Sequence, residues 1–176
     1  MSLKNVGIGD KAPEIVNVII ENPRGQSRNK YEADKDTGVI FLDRVNAVTL
    51  SYVADYGYLP ETLGDDGDPL DAYIVIDEPL HPGVVVPARV IGMMKMTDEG
   101  EGDEKLICVA SKDVSKDHIK HVDDLGPTFK KMIEHFHGHL KDWKNDWTGV
   151  ETSFDGWFGP DEAYAVIQRA QDSAKN

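Results

Sequence analysis

The 176-residue sequence predicts an α+β fold in one domain, residues 1–176: a small closed antiparallel β-barrel with flanking C-terminal helices. Three observations carry this reading. Short Val-, Ile- and aromatic-rich segments fill the first two thirds, separated by Gly, Pro, Asn or Asp turns. No helical pattern intervenes between them, which favours a barrel over a doubly wound sheet. The last third then switches to helical spacing.

Taken in order, strands are expected at Ile15–Glu21 (IVNVIIE), Lys30–Asp34 (KYEAD), Gly38–Val45 (GVIFLDRV), Asp71–Asp77 (DAYIVID), Gly83–Met96 (GVVVPARVIGMMKM) and Glu104–Ala110 (EKLICVA). After Pro127, Phe129, Met132, Ile133, Phe136 and Leu140 recur at the spacing of an amphipathic helix. A second helix is expected from Pro160, a residue suited to the first helical position, with Asp161 and Glu162 at the positive end. Its apolar stripe is Ala163, Val166, Ile167 and Ala170.

Hydrophobic content of 40% and charged content of 29% are ordinary for a soluble globular chain. The formal net charge of −13 argues against nucleic acid or an anionic membrane as partner. Small anions remain compatible, because local cations or bound metals override the global field. The one cysteine, Cys108, excludes an internal disulfide. With no cation or histidine beside it, it reads as a small buried strand residue. The N-terminal stretch lacks a secretory apolar core and no segment reaches membrane-spanning length, so a cytoplasmic protein is expected.

Chemistry concentrates in GDDGDPLDAYIVID, Gly64 to Asp77. Asp66, Asp68 and Asp71 share a turn that Gly67 and Pro69 can bend inward. A hard divalent cation would relieve their repulsion through oxygen ligands; a solvated acidic turn is the equal alternative for a generic DxDxxD. An EF-hand fits poorly, since Asp71 and Asp77 fall where its Gly and Glu belong. Walker, GxGxxG and HExxH motifs are absent from the sequence. A second acidic stretch, KMTDEGEGDEKL, brings Asp98 and Asp103 around a Gly-rich turn with Lys105 following; alone it reads as an exposed hairpin tip, but paired with the first cluster in a small barrel it can complete a multi-metal site. Lys30 and Glu32 alternate with Tyr31 and so share one strand face. Arg44 and Lys141 end a strand and a helix. Metals with several cations in one cleft suit a phosphoryl substrate.

These pieces, VIIENPRG, NKYEADKDTGVIFLDRV, DYGYLPETLGDDGDPLDAYIV, KMTDEGEGDEKL and HIKHVDDL, resemble the soluble family I inorganic pyrophosphatases of the bacterial type, from about Val6 to Trp147. The resemblance implies an OB-like barrel, hydrolysis of pyrophosphate to two phosphates with several Mg²⁺ ions (Mn²⁺ or Zn²⁺ as substitutes), and a homo-oligomer, a homohexamer favoured. By position it implies Asp66, Asp71 and Asp103 as ligands of the tighter metal, with Asp71 bridging to a second, Asp98 and Asp103 of a further, substrate-carried one, and Glu21 and Glu32 of a fourth, partly through water. Asp68 matches the base for the attacking water. Lys30, Arg44, Tyr56 and Lys141 match the phosphate clamp, Lys105 lines the same cleft, Tyr52 and Tyr58 lie beside it, and Asp65 is a spectator.

One departure lies near the site. The family stretch resembling FFEHYK is HFHGHLK here, so Leu140 stands in place of a phosphate-directed phenol, and His137 and Gly138 replace Phe and Glu. Losing such a donor costs about 1–3 kcal/mol if nothing replaces it. A takeover of that contact by His137 or His139 is the lesser alternative, since the sequence does not give their direction on the helix. His135 and His139, at i and i+4, lack a third ligand and read as surface histidines rather than a zinc or nickel pair. Trp143, Trp147 and Trp157 read as packing or subunit-contact residues. Two other functions remain open: a non-catalytic cation-binding module, which leaves the cations unexplained, and a nucleotide phosphohydrolase, for which no base-reading motif is present.

Overall fold

A computed structural model describes residues 3–147 and 151–175. Its strands are β1 Ile15–Asn22, β2 Asn29–Ala33, β3 Ile40–Val45, β4 Asp55–Tyr58, β5 Asp71–Val75, β6 Val85–Asp98, β7 Glu101–Ala110 and β8 Thr152–Phe158; the α-helices are α1 Gly126–His139 and α2 Pro160–Ala174. Five strands form a ring. β1 pairs with β4, β4 with β5, β5 with β7, β7 with β6, and β6 returns to β1. The far half of β6 also carries β8.

Two expectations are corrected. The ring is not wholly antiparallel, because β5 and β7 run parallel. The reason is topological: β6 does not fold back on β5 but crosses to β1 and β7, and reversing once from β6 restores the direction of β5. The segments KYEAD and GVIFLDRV do not enter the ring either; β2 and β3 make a separate two-stranded sheet. Its apolar residues Phe41, Leu42 and Val45 are exposed.

The ring is buried on both faces, which is why EKLICVA reads as a continuous apolar run. Leu106 and Cys108 of β7 pack with Ala72 and Ile74 of β5 beneath Ala163, Val166, Ile167 and Ala170 of α2. The alternate residues Ile107 and Val109 join Tyr73, Tyr56 and the α1 residues Ile133 and Phe136 in a second cluster with Leu140. A register shift between Val90 and Gly92 changes the phase of β6, so Val90 and Met93 belong to the first cluster and Ile91 and Met94 to the second. Cys108 is fully buried, as expected.

Beside the ring, Asp55 is fully buried and accepts from the backbone N–H groups of Arg24 (2.7 Å) and Leu80 (3.2 Å), tying two loops to β4. Asp55→Ala orphans both donors and is expected to lower stability by about 2–4 kcal/mol. Denaturant unfolding checks it; a loss within experimental error would refute the anchoring role.

Candidate active site

The face of the ring covered by α1 opens into a cavity of about 320 Å³. Strand periodicity sets its floor: Asp71 shares a face with Tyr73 on β5, and Asp103 and Lys105 share one with Ile107 on β7. The parallel register places Asp71 directly beside Lys105. The acidic turn preceding β5 is closed by Gly64 N–H donating to Asp68 O (2.7 Å) and by Gly67 at φ 84°, a conformation glycine adopts without a Cβ penalty. Glu21 arrives from β1, Lys30 and Glu32 from β2, Arg44 from β3, and Lys141 from just beyond α1. Every site residue expected from sequence, Asp66, Asp68 and Asp98 included, lines this one cavity, as do Tyr52, Tyr56 and Tyr58.

At the floor the Lys105 ammonium lies 2.5 Å from Asp71 Oδ2 and 2.7 Å from Asp103 Oδ2, with only 6% of its side chain exposed. Tyr56 O–H donates to the same Asp71 oxygen at 2.5 Å. Burial alone would lower the Lys105 pKa; the carboxylates of Asp71 and Asp103 outweigh it and hold the ammonium charged. At the rim Lys141 Nζ bridges Asp98 (2.5 Å) and Glu99 (3.1 Å), and these partners raise its pKa against partial burial. Lys30 Nζ reaches Glu32 (3.4 Å) and Asp43 (3.3 Å), and Arg44 reaches Asp43 at 3.5 Å. Asp68 is largely exposed and pairs with Lys35 at 3.2 Å.

The carboxylates are short of positive charge. Burial, reinforced by Asp71 and Glu32, carries Glu21 to about 7 even though Ala33 N–H donates to it at 2.7 Å. Desolvation likewise raises Asp103 despite Lys105, and Asp66 despite the N–H of Asp68. Among the described residues no three His, Cys, Asp or Glu side chains are gathered as closely as a metal shell. The donor chemistry nevertheless fits a hard divalent cation, since the acidic side chains offer oxygen only, and the pKa values of Glu21, Asp66 and Asp103 stay raised despite the nearby lysines.

Sequence reasoning did not single out Lys35 or Glu99, which line the cavity among ordinary turn residues. The histidines divide. His135 and His139 lie with ring centroids 4.6 Å apart and planes tilted by 51°, both exposed, and His139 Nδ1 lies 2.9 Å from Asp142. His137 instead lines the cavity, with Nε2 2.7 Å from the Tyr73 hydroxyl. Trp143 packs against the α1-side cluster, as does Trp157, whose Nε1–H donates to Glu134 at 2.7 Å; Trp147 is exposed.

Residues 18–175 match the family model described as inorganic pyrophosphatase. The chain belongs to the inorganic pyrophosphatase family. It is 44% identical over 171 residues to the inorganic pyrophosphatase of Thermus thermophilus, covering 96% of this chain and 97% of that protein. Identity to the Escherichia coli K12 inorganic pyrophosphatase is 42%, over 100% of this chain and 99% of the relative. Its fold superposes on the crystal structure of the Thermus thermophilus pyrophosphatase with a TM-score of 0.92, each chain fully covered, and on the Helicobacter pylori enzyme with 0.87, covering 98% of this chain and 99% of that one. The family match runs past Trp147, where the sequence likeness was expected to fade, and takes in β8 and α2.

Proposed function

We propose that the chain hydrolyses inorganic pyrophosphate to two orthophosphates in a Mg²⁺-dependent reaction. The observation that carries this reading is the single cavity in which clustered carboxylates face Lys30, Arg44, Lys105 and Lys141. A highly charged phosphoanhydride needs both: carboxylates for cations, and fixed cations for the phosphates.

Asp66, Asp71 and Asp103 would hold the tighter metal, Asp71 also serving a second, Asp98 and Asp103 one that arrives with substrate, and Glu21 and Glu32 a fourth. When bound, Mg²⁺ supplies charge neutralisation and lowers the pKa of water. The protein's own groups do the rest. Asp68 orients the attacking water and takes its proton, and its exposure gives that proton a path to solvent. Lys35 holds the Asp68 carboxylate in place. Lys30, Arg44, Tyr56, Lys105 and Lys141 grip the phosphate oxygens and stabilise the charge that develops on the leaving group. Mn²⁺ or Zn²⁺ would substitute through the same donors. The five-strand ring is read as a closed OB-like barrel, and a cytoplasmic homo-oligomer, a homohexamer first, completes the proposal. No described helix is long and apolar enough to cross a membrane.

Phosphate release from pyrophosphate tests this: turnover is expected with Mg²⁺, none with EDTA and little from ATP. Asp68→Asn is expected to lower kcat by about 10²–10⁴. No release at any Mg²⁺ concentration would end the reading; comparable turnover of ATP would favour a nucleotide phosphohydrolase.

A further inference from the structure

Leu140 lines the cavity as an apolar side chain and offers no hydrogen-bond donor there; the resemblance implies a phenol of the phosphate clamp at this position. Position 137 precedes 140 by three residues and Lys141 by four, which puts the three side chains on one face at the end of α1. His137 and Leu140 meet the same cavity as Lys141 and Lys105.

The hydrogen bonding of His137 fixes its polarity. Tyr73 is fully buried, and its hydroxyl has one hydrogen-bond partner among the described residues, His137 Nε2 at 2.7 Å. A buried phenol with a single partner that can accept donates its proton there, because a stranded O–H is costly. Nε2 is therefore the acceptor. In the neutral imidazole the ring proton then sits on Nδ1. Burial first, then the nearby charges of Lys105 and Lys141, holds the pKa of His137 well below the usual imidazole value, so the ring is neutral at pH 7. The ring is held by Tyr73 on one side and packs edge-on against Phe136 and Tyr73.

We propose that His137, locked by Tyr73 into its Nδ1–H form, donates to a phosphate oxygen of the bound substrate and replaces the donor absent at Leu140. Resting on the pyrophosphatase reading above, the inference adds a substrate-binding residue that the resemblance does not supply. A neutral donor suits this place: it adds a hydrogen bond to the oxyanion without adding a further cation beside Lys105 and Lys141.

The test compares the parent with Tyr73→Phe/His137→Phe, a pair that removes both polar partners together and strands neither. KM for pyrophosphate with Mg²⁺ and the calorimetric Kd for inorganic phosphate are both measured, after thermal unfolding shows the variant folded. Both constants are expected to rise about 10- to 100-fold, as for a lost hydrogen bond to a charged group. Adding Leu140→Tyr to the double variant is expected to recover most of the loss, which a purely structural role for His137 would not produce. Parental KM and Kd in the double variant, beside a parent that turns over pyrophosphate, overturn this assignment alone. A parent that releases no phosphate overturns the hydrolase reading and this one with it.

Discussion

Lys105→Met is expected to cost the metal-free protein about 3–5 kcal/mol and to cut pyrophosphate turnover by about 10²–10³. Both effects come from one geometry. The ammonium lies within 2.7 Å of an oxygen of each of Asp71 and Asp103, and its side chain is almost wholly withdrawn from water. Methionine fills the volume but leaves two carboxylates sharing a partly buried site with no cation between them. The Tyr56 hydroxyl still donates to Asp71 and offsets only a small part of that repulsion. Mg²⁺ should therefore raise the unfolding temperature of the variant more than that of the parent, because the added cation takes over a missing charge. Thermal unfolding with Mg²⁺ and with EDTA measures this directly. A variant as stable as the parent in EDTA would show that the ammonium does not hold the carboxylates together.

The second large effect is structural. Gly57→Ala is expected to lower stability by at least about 3 kcal/mol or to prevent folding. A Cβ on Gly57 would stand 1.9 Å from the carbonyl oxygen of Ile19, 2.7 Å from its carbon and 2.9 Å from Ile20 Cα. All three are backbone atoms of β1, so no side chain can swing aside; the β1–β4 pairing itself must part. Gly57 sits between Tyr56 and Tyr58, and any shift of β4 moves the Tyr56 hydroxyl off Asp71. Denaturant midpoint and phosphate release should fall together in this variant. An unchanged midpoint would mean that β1 and β4 can separate without loss.

The helices and the long strands were legible because their signals are local. Pro127 and Pro160 mark starts, and the apolar spacing that follows needs no knowledge of partners. The acidic turn was equally legible, since Asp66, Asp68 and Asp71 lie within one short stretch. β4 was not: DYGY has four residues and no β-branched run, and it is a strand because β1 and β5 flank it. β8 was missed for a related reason, with Gly156 interrupting TSFDGWF and β6 supplying its partner. The parallel pairing of β5 with β7 depends on which side of the ring β6 crosses, which no segment encodes by itself. Sequence could not choose between His137 and His139 because the choice is a matter of direction: two residues of rotation, about 200°, separate His137 from each of the exposed pair His135 and His139.

The connectivity of the ring also implies an order of assembly. β1 is shared: Ile15 to Ile19 pair with β6, and Ile19 to Asn22 pair with β4. The β1–β6 pairing joins segments far apart in sequence, so its loop-closure entropy must be met before the contact stabilises anything. Both helices can form earlier from local interactions. Glu21 lies at the β4 end of that same strand, and Asp71 finds Lys105 only after β6 has turned back into β7. During refolding, helical signal should therefore return well before the ability to hydrolyse pyrophosphate, and the lag between them times the closing of the circle.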